Sequence, residues 1–161
     1  MGVSIRQFKR EDVPAMVSIW NEVVKEGKAF PQENPLTLQN GESFFASQTF
    51  TGVATEKDVV VGLYILHPNN IERCGHISNA SYAVAKYARG KGVGEALVKH
   101  SLVIAGEKGF KILQFNAVVV SNKAAIALYD KLGFTRLGIV KGGFKNKDGI
   151  YEDIMLFYHL V

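Results

Sequence analysis

The chain has 161 residues, 47% of them hydrophobic and 21% charged, the composition of one folded globular domain rather than of a disordered or fibrous chain. Lys and Arg total 19 against 15 Asp and Glu, a net charge of +4 that favours anionic ligands but falls short of a dedicated nucleic-acid binder. The only cysteine, Cys74, excludes an internal disulfide framework and a cysteine-cluster metal site, and no apolar run approaches the about 18 residues that would cross a membrane.

Residues 1–161 read as a single domain. The opening MGVSIRQFKR is polar and lacks the apolar stretch of a signal peptide, and Arg6 stands where a myristoylation signal needs Ser or Thr. Together with the lone cysteine, this points to the cytoplasm.

Ser4, Arg6 and Phe8 mark a short first strand. Asp12 is a natural N-cap with Pro14 just inside the helix that follows, and Met16, Val17, Ile19, Trp20, Val23 and Val24 give that helix an apolar stripe ending near Gly27. The stretch from Lys28 to Ser47 contains Pro31, Asn34, Pro35, Asn40 and Gly41, a breaker-rich passage with room for a short helix around Gly41 to Gln48. Such loops often cover sites. Thr49 to Thr55 and Val59 to Leu66 form a hairpin about Glu56-Lys57-Asp58. Cys74 to Ala85 is extended, Lys86 to Gly94 is a basic glycine-rich loop, and Glu95 to Gly106 is helical. A strand over Lys111 to Val120, a helix over Lys123 to Leu132 and a strand over Phe134 to Val140 follow. Turns at Gly142-Gly143 and Asn146 to Gly149 precede a last strand, Tyr151 to Leu160. This order predicts an α/β (α+β) fold: a three-layer, mixed central sheet flanked by helices on both faces. The helical crossover after the third strand run requires local parallel pairing.

Arg89-Gly90-Lys91-Gly92-Val93-Gly94 lies between a strand and a helix. Unpaired N–H groups and the helix dipole make an anion site there, and alternating glycines allow those N–H groups to converge on one phosphate, with Arg89 and Lys91 adding charge. Neither the Walker pattern nor the dinucleotide G-x-G-x-x-G fits: from Gly90 the last position is Glu95, and from Gly92 it is Leu97.

Arg89-x-x-Gly92-x-Gly94, preceded by a strand and followed by a helix, resembles the pyrophosphate-binding signature of the GCN5-related N-acetyltransferase (GNAT) superfamily. Downstream, Asn122-x-x-Ala125-Ile126-x-Leu128-Tyr129-x-Lys131-Leu132-Gly133-Phe134 is similar to that family's C-terminal helix and following strand. Gly133 has its own mechanism, since a C′ glycine accepts the left-handed conformation that stops a helix. The resemblance implies acetyl-CoA as acyl donor, with Tyr82, Ala83 and Val84 offering strand backbone to the pantetheine arm. Arg89, Gly90, Lys91, Gly92, Val93, Gly94 and Glu95 would surround the pyrophosphate. Asn122 would cap its helix or bond a pantetheine amide. Tyr129 is the candidate acid for the departing thiolate, its alternative being a core aromatic packed with Ile126 and Leu132. Lys86 departs from the pattern, many members having proline nearby.

Asn79 and Asn116 interrupt apolar strands. Strand alternation puts Asn79 on a face with Ile77, Ser81 and Ala83, and Asn116 with Gln114 and Val118; buried amides demand partners, so the pair suggests a polar floor beneath a substrate, or satisfied structural amides. His76-Ile77-Ser78-Asn79, the glycine loop, Phe115-Asn116 and Ser121-Asn122 resemble the fungal N-acetyltransferases acting on azetidine-2-carboxylate and related proline analogues, a subgroup near the phosphinothricin acetyltransferases. That likeness implies that Asn79 orients the substrate or holds the acyl carbonyl, with Asn116 helping. Tyr129 stands where those proteins carry tryptophan, and their longer N-terminal region is missing. No side chain stands out as general base. His76 is grouped with Asn116 at the substrate, its alternative being the structural or exposed role usual for a lone strand histidine; a water relay serves equally as base, and Glu26, Glu33, Glu42 and Asp153 are further carboxylates that folding could bring to the cleft. The remaining histidines lack metal-ligand spacing, so no metal is expected.

The expected activity is therefore acetyl transfer from acetyl-CoA to the amine of a small molecule, an amino acid or its analogue, in a ternary complex. A peptide acetyltransferase and a non-catalytic CoA-binding module are the competing readings. The basic Lys141 to Lys147 reads as a solvated turn, so no nucleic-acid partner is expected. The aromatic-rich last strand suggests pairing across a homodimer.

Overall fold

The computed structural model describes residues 2–161; Met1, the first position of the expected domain, lies outside them. In chain order the elements are β1 (Ser4–Gln7), α1 (Val13–Glu26), α2 (Leu38–Ala46), β2 (Phe50–Glu56), β3 (Val59–Pro68), β4 (Ile77–Val84), α3 (Val93–Glu107), β5 (Ile112–Val119), α4 (Lys123–Lys131), β6 (Thr135–Lys145) and β7 (Tyr151–Leu160). The order matches the reading from sequence, with α2 as the helix inside the breaker-rich passage.

Pro14 begins α1 and a left-handed Gly27 ends it, the Gly27 N–H donating to Val24 O. Asp12 occupies the N-cap position but does not cap. Its carboxylate accepts instead from Arg6 at 2.7 and 3.0 Å and from the Lys9 N–H at 2.7 Å, ion-pairing β1 to the start of α1. The apolar stripe of α1 is buried, and Trp20 lies against Phe30, Phe44 and Phe45 with centroids 4.4, 5.3 and 6.0 Å away. Helix α2 starts earlier than predicted because Thr37 and Asn40 cap reciprocally, each backbone N–H donating to the other's side-chain oxygen.

Seven strands form one sheet in the order β1-β2-β3-β4-β5-β7-β6. Only β4 and β5 are parallel. The Trp20 cluster lies between the sheet and α1 and α2. On the other face, α3 covers β3 and β4, and α4 is joined to α3 by a Lys131–Glu95 ion pair, giving the predicted helices on both faces.

Two expectations about the C-terminal strands need correction. Strand β7 inserts between β5 and β6, so both its edges are occupied and it cannot pair with another chain; the edge strand is β6. Gly142-Gly143 is not a turn either: β6 runs through it to Lys145, with an irregular register between Val140 and Phe144. The turn at Asn146–Gly149 is present, and the Lys147 N–H donates to Gly27 O at 3.2 Å. At Gly27 an added Cβ would sit 2.5 Å from Lys147 Cβ, so this contact requires glycine as much as the backbone twist does.

Candidate active site

The site exists because β4 and β5 stop pairing. Their parallel register covers only Ile77↔Ile112 and Ser78↔Leu113. One residue later the Asn79 side chain takes over, its Nδ2 donating to Gln114 O at 2.8 Å, and beyond it the facing edges of β4 and β5 are unpaired. Two adjoining hollows lie there, of about 660 and 220 Å³, both lined by Ala29, Tyr82, Asn122 and Ala125.

The larger hollow runs past Val84 to Gly90, Gly92 and Gly94 at the start of α3. Gly90 and Gly92 have φ of +75° and +85°, which other residues adopt only with strain. A Cβ at either would meet nothing within 4 Å, so these glycines answer to backbone shape and to open space above the loop rather than to packing. Free N–H groups at the N-terminus of a 15-residue helix favour an anion. An unpaired strand edge, a glycine loop over open space and a helix N-terminus fit a pantetheine diphosphate as a group.

Several of the expected cofactor residues have no side chain free to face the cleft. Ala83 and Val93 are buried in the core, Val93 beneath Gly62, and Lys91 is exposed beside the hollow. Arg89 is already engaged: its guanidinium makes a paired contact with Glu26 at 3.1 and 2.7 Å and donates to Val84 O. Much of the charge expected from Arg89 is thereby balanced, and its side chain ties the loop to the end of α1. Lys131 and Lys99 hold the Glu95 carboxyl down to about 2, so the first turn of α3 carries a fixed negative charge that links it to α4.

The smaller hollow is floored by Asn79, Ala80 and Ser81 on β4 and by Phe115 and Asn116 on β5, and flanked by Ala29, Phe30 and Pro31 from the segment after α1. Every lining residue is uncharged. Tyr129 reaches it from α4, its ring 4.5 Å from Phe115 and 5.4 Å from Phe134 and Phe157. Burial raises its pKa well above that of a free tyrosine, so the hydroxyl keeps its proton at neutral pH. No described residue hydrogen-bonds this hydroxyl, yet no buried side-chain polar atom lacks a partner; it is therefore open to the pocket. Tyr129 is thus both packed aromatic and available donor. Tyr82, by contrast, spends its hydroxyl on Ser101 at 2.7 Å. Asn122 caps α4, its Oδ1 accepting from the Ala125 N–H, and its remaining surface lines both hollows.

Two predicted substrate residues sit otherwise than expected. His76 is exposed and lines neither hollow; its carbonyl instead accepts from the N–H groups of Lys111 and Ile112 at the start of β5. Asn116 is exposed rather than buried. A bulge between Phe115 and Val118 breaks the alternation, so Val118 joins Phe115 in the main core while Ala117 and Val119 face the second cluster. The predicted shared face of Asn116 and Val118 does not exist. Of the carboxylates that folding could bring to the cleft, Glu26 does line the larger hollow, but its pairing with Arg89, 63 positions away, was not foreseen. Sequence reasoning missed Phe30, which was hidden in a loop.

Residues 14–134 match the acetyltransferase (GNAT) family model. An N-acetyltransferase of Schizosaccharomyces pombe is 29% identical over 94% of this chain and 81% of that protein. An L-methionine sulfoximine/L-methionine sulfone acetyltransferase of Pseudomonas aeruginosa is 29% identical over 83% of this chain and 81% of its own length. Among solved structures, a ribosomal-protein-alanine N-acetyltransferase from Brucella melitensis superposes with a TM-score of 0.91 at 26% identity, covering 98% of this chain and 99% of that one. Fold and site together define an acyltransferase that takes acetyl-CoA as donor. The chain belongs to the acetyltransferase (GNAT) family.

Proposed function

We propose that the protein acetylates the amine of a small molecule, an amino acid or amino-acid analogue, by direct attack in a ternary complex. The observation that carries this reading is the uncharged hollow of about 220 Å³ that adjoins the coenzyme cleft. Its size matches a compact acceptor, and Phe30 and Pro31 narrow the approach that a peptide would need. The Pseudomonas aeruginosa relative, named for a modified amino acid, supports the same acceptor class. The Brucella melitensis structure keeps a protein acceptor as the alternative.

Acetyl-CoA supplies the activated thioester carbonyl, and the protein supplies position and protons. The Asn79 Oδ1 accepts an N–H of the incoming neutral amine and turns its lone pair toward the carbonyl carbon. Unpaired β4 N–H groups donate to the carbonyl oxygen as charge builds there. As the C–N bond forms and the C–S bond breaks, Tyr129 gives its proton to the sulfur, the amine nitrogen loses one to water, and water returns that proton to Tyr129, so the reaction consumes no net proton. Asn122 and Tyr82 bound the junction where the groups meet. Exposed Leu137, Ile139 and Val140 on edge strand β6 support a homodimer formed through β6, checked by light scattering, and the single thiol suits the reducing cytoplasm.

The test is CoA release from acetyl-CoA over a panel of amino acids, proline analogues, methionine sulfoximine-type compounds and short peptides. Turnover of a free amino acid or analogue at a kcat/KM well above any peptide is the expected result. Preference for peptides would transfer the reading to a protein acceptor.

A further inference from the structure

Asn116 sits on the β5 bulge with its side chain exposed, where packing does not choose its rotamer. Hydrogen bonds choose it instead. Gln114 Nε2 donates to Asn116 Oδ1 at 3.2 Å, and Asn116 Nδ2 donates to Asn69 Oδ1 at 2.5 Å. Asn69 is itself anchored, its backbone N–H donating to Ile77 O at 2.7 Å and its Nδ2 to Asn70 Oδ1 at 2.9 Å. The result is a chain of four amides, all donating in one direction from Gln114 to Asn70. It joins β5 to the segment after β3 across 47 positions of sequence.

An asparagine amide has two N–H donors and an oxygen with two lone pairs. With one donor given to Asn69 and one lone pair taken by Gln114, Asn116 keeps one N–H. Of the four amides, Asn116 alone lines the acceptor hollow. No lysine or arginine lines that hollow either, so an oxygen on the acceptor is met there by neutral donors. Each such bond is weak in net terms and depends on direction.

We propose that Asn69 is a positioning residue for the acceptor: it holds the Asn116 amide so that the free N–H donates to a carboxylate or carbonyl oxygen of the bound amine substrate. This rests on the small-molecule reading above. None of the four amides lines the larger, coenzyme-side hollow, so the effect falls on acceptor binding and spares the donor.

Steady-state kinetics on Asn69→Ala and Asn69→Asp, with the acceptor that the wild type uses best, test it. Asn69→Ala is expected to raise the acceptor KM about tenfold, the loss of one oriented hydrogen bond, with kcat and the acetyl-CoA KM within about twofold. Asn69→Asp keeps an oxygen for Asn116 and is expected to restore most of the loss for the acceptor's primary carboxamide, which the new charge does not repel. An unchanged acceptor KM in Asn69→Ala, or an equal rise in the acetyl-CoA KM, overturns the proposal. A second readout needs no turnover: the Asn116 side-chain amide resonances, assigned by their loss in Asn116→Ala, should shift in Asn69→Ala. If they do not, Asn69 does not hold Asn116 and the proposal fails whatever the kinetics. A wild type that acetylates nothing in the panel contradicts the small-molecule reading instead, and the resonance shift then decides the role of Asn69.

Discussion

The two halves of the wedge between β4 and β5 are built by opposite means. On the coenzyme side, recognition is written into consecutive residues: two glycines at positive φ, a helix N-terminus and an unpaired strand edge. On the acceptor side, nothing is consecutive. Phe30 comes from the segment after α1, Asn79 from β4, Asn116 from a bulge in β5 and Tyr129 from α4. On the proposed reading, the donor is met by local backbone geometry, whereas acceptor choice is left to side chains that the fold assembles from afar and can change one at a time.

The sharpest way to break this contrast is at the loop. Gly92→Asp places a side chain into the cleft from a φ of +85° and a carboxylate near bound phosphate, so acetyl-CoA affinity by calorimetry should fall about 100-fold or more. Asn79→Ala should leave that affinity within about twofold. Were both to weaken the donor alike, the two halves would not be separate. Next in size is Tyr129→Phe, which keeps the aromatic packing and removes the proton donor: kcat should fall about 100-fold with the acetyl-CoA KM nearly unchanged. A full rate in that variant would return Tyr129 to the core.

Glu26→Gln acts on the donor side. It releases the Arg89 guanidinium and removes a negative charge from the cleft mouth. Acetyl-CoA should then bind about threefold tighter at low salt, the gain fading as salt screens it; weaker binding would mean that Arg89 matters chiefly as a brace. The smallest effect lies outside the wedge. The Tyr64 hydroxyl and His100 Nδ1 share a hydrogen bond of 2.8 Å, and burial lowers the His100 pKa from its ordinary value of 6.5. Because the folded pKa is depressed, the unfolded chain binds the extra proton first, and stability falls as pH drops below about 6.5 toward the folded value. Urea unfolding at pH 7.5 and 5.5 should show that loss in the wild type and less of it in His100→Gln.

What could be read from the residues follows the same division. The glycine loop, the Gly133 helix stop and the strand-helix order are local signals, and they gave the sheet, the helices and the coenzyme cleft. His76 was misplaced because its neighbour Asn79, not His76, stands where β4 and β5 part. Asn116 was assigned a buried face because a bulge leaves no mark in an alternation pattern. The Asn69–Asn116 and Glu26–Arg89 contacts depend on the completed fold and could not be seen in any window of sequence.

Initial rates measured over a grid of acetyl-CoA and acceptor concentrations decide whether donor and acceptor meet in adjoining hollows and react without a covalent enzyme species. Intersecting double-reciprocal lines are predicted. Parallel lines would mean that CoA leaves before the acceptor enters, and that no ternary complex forms.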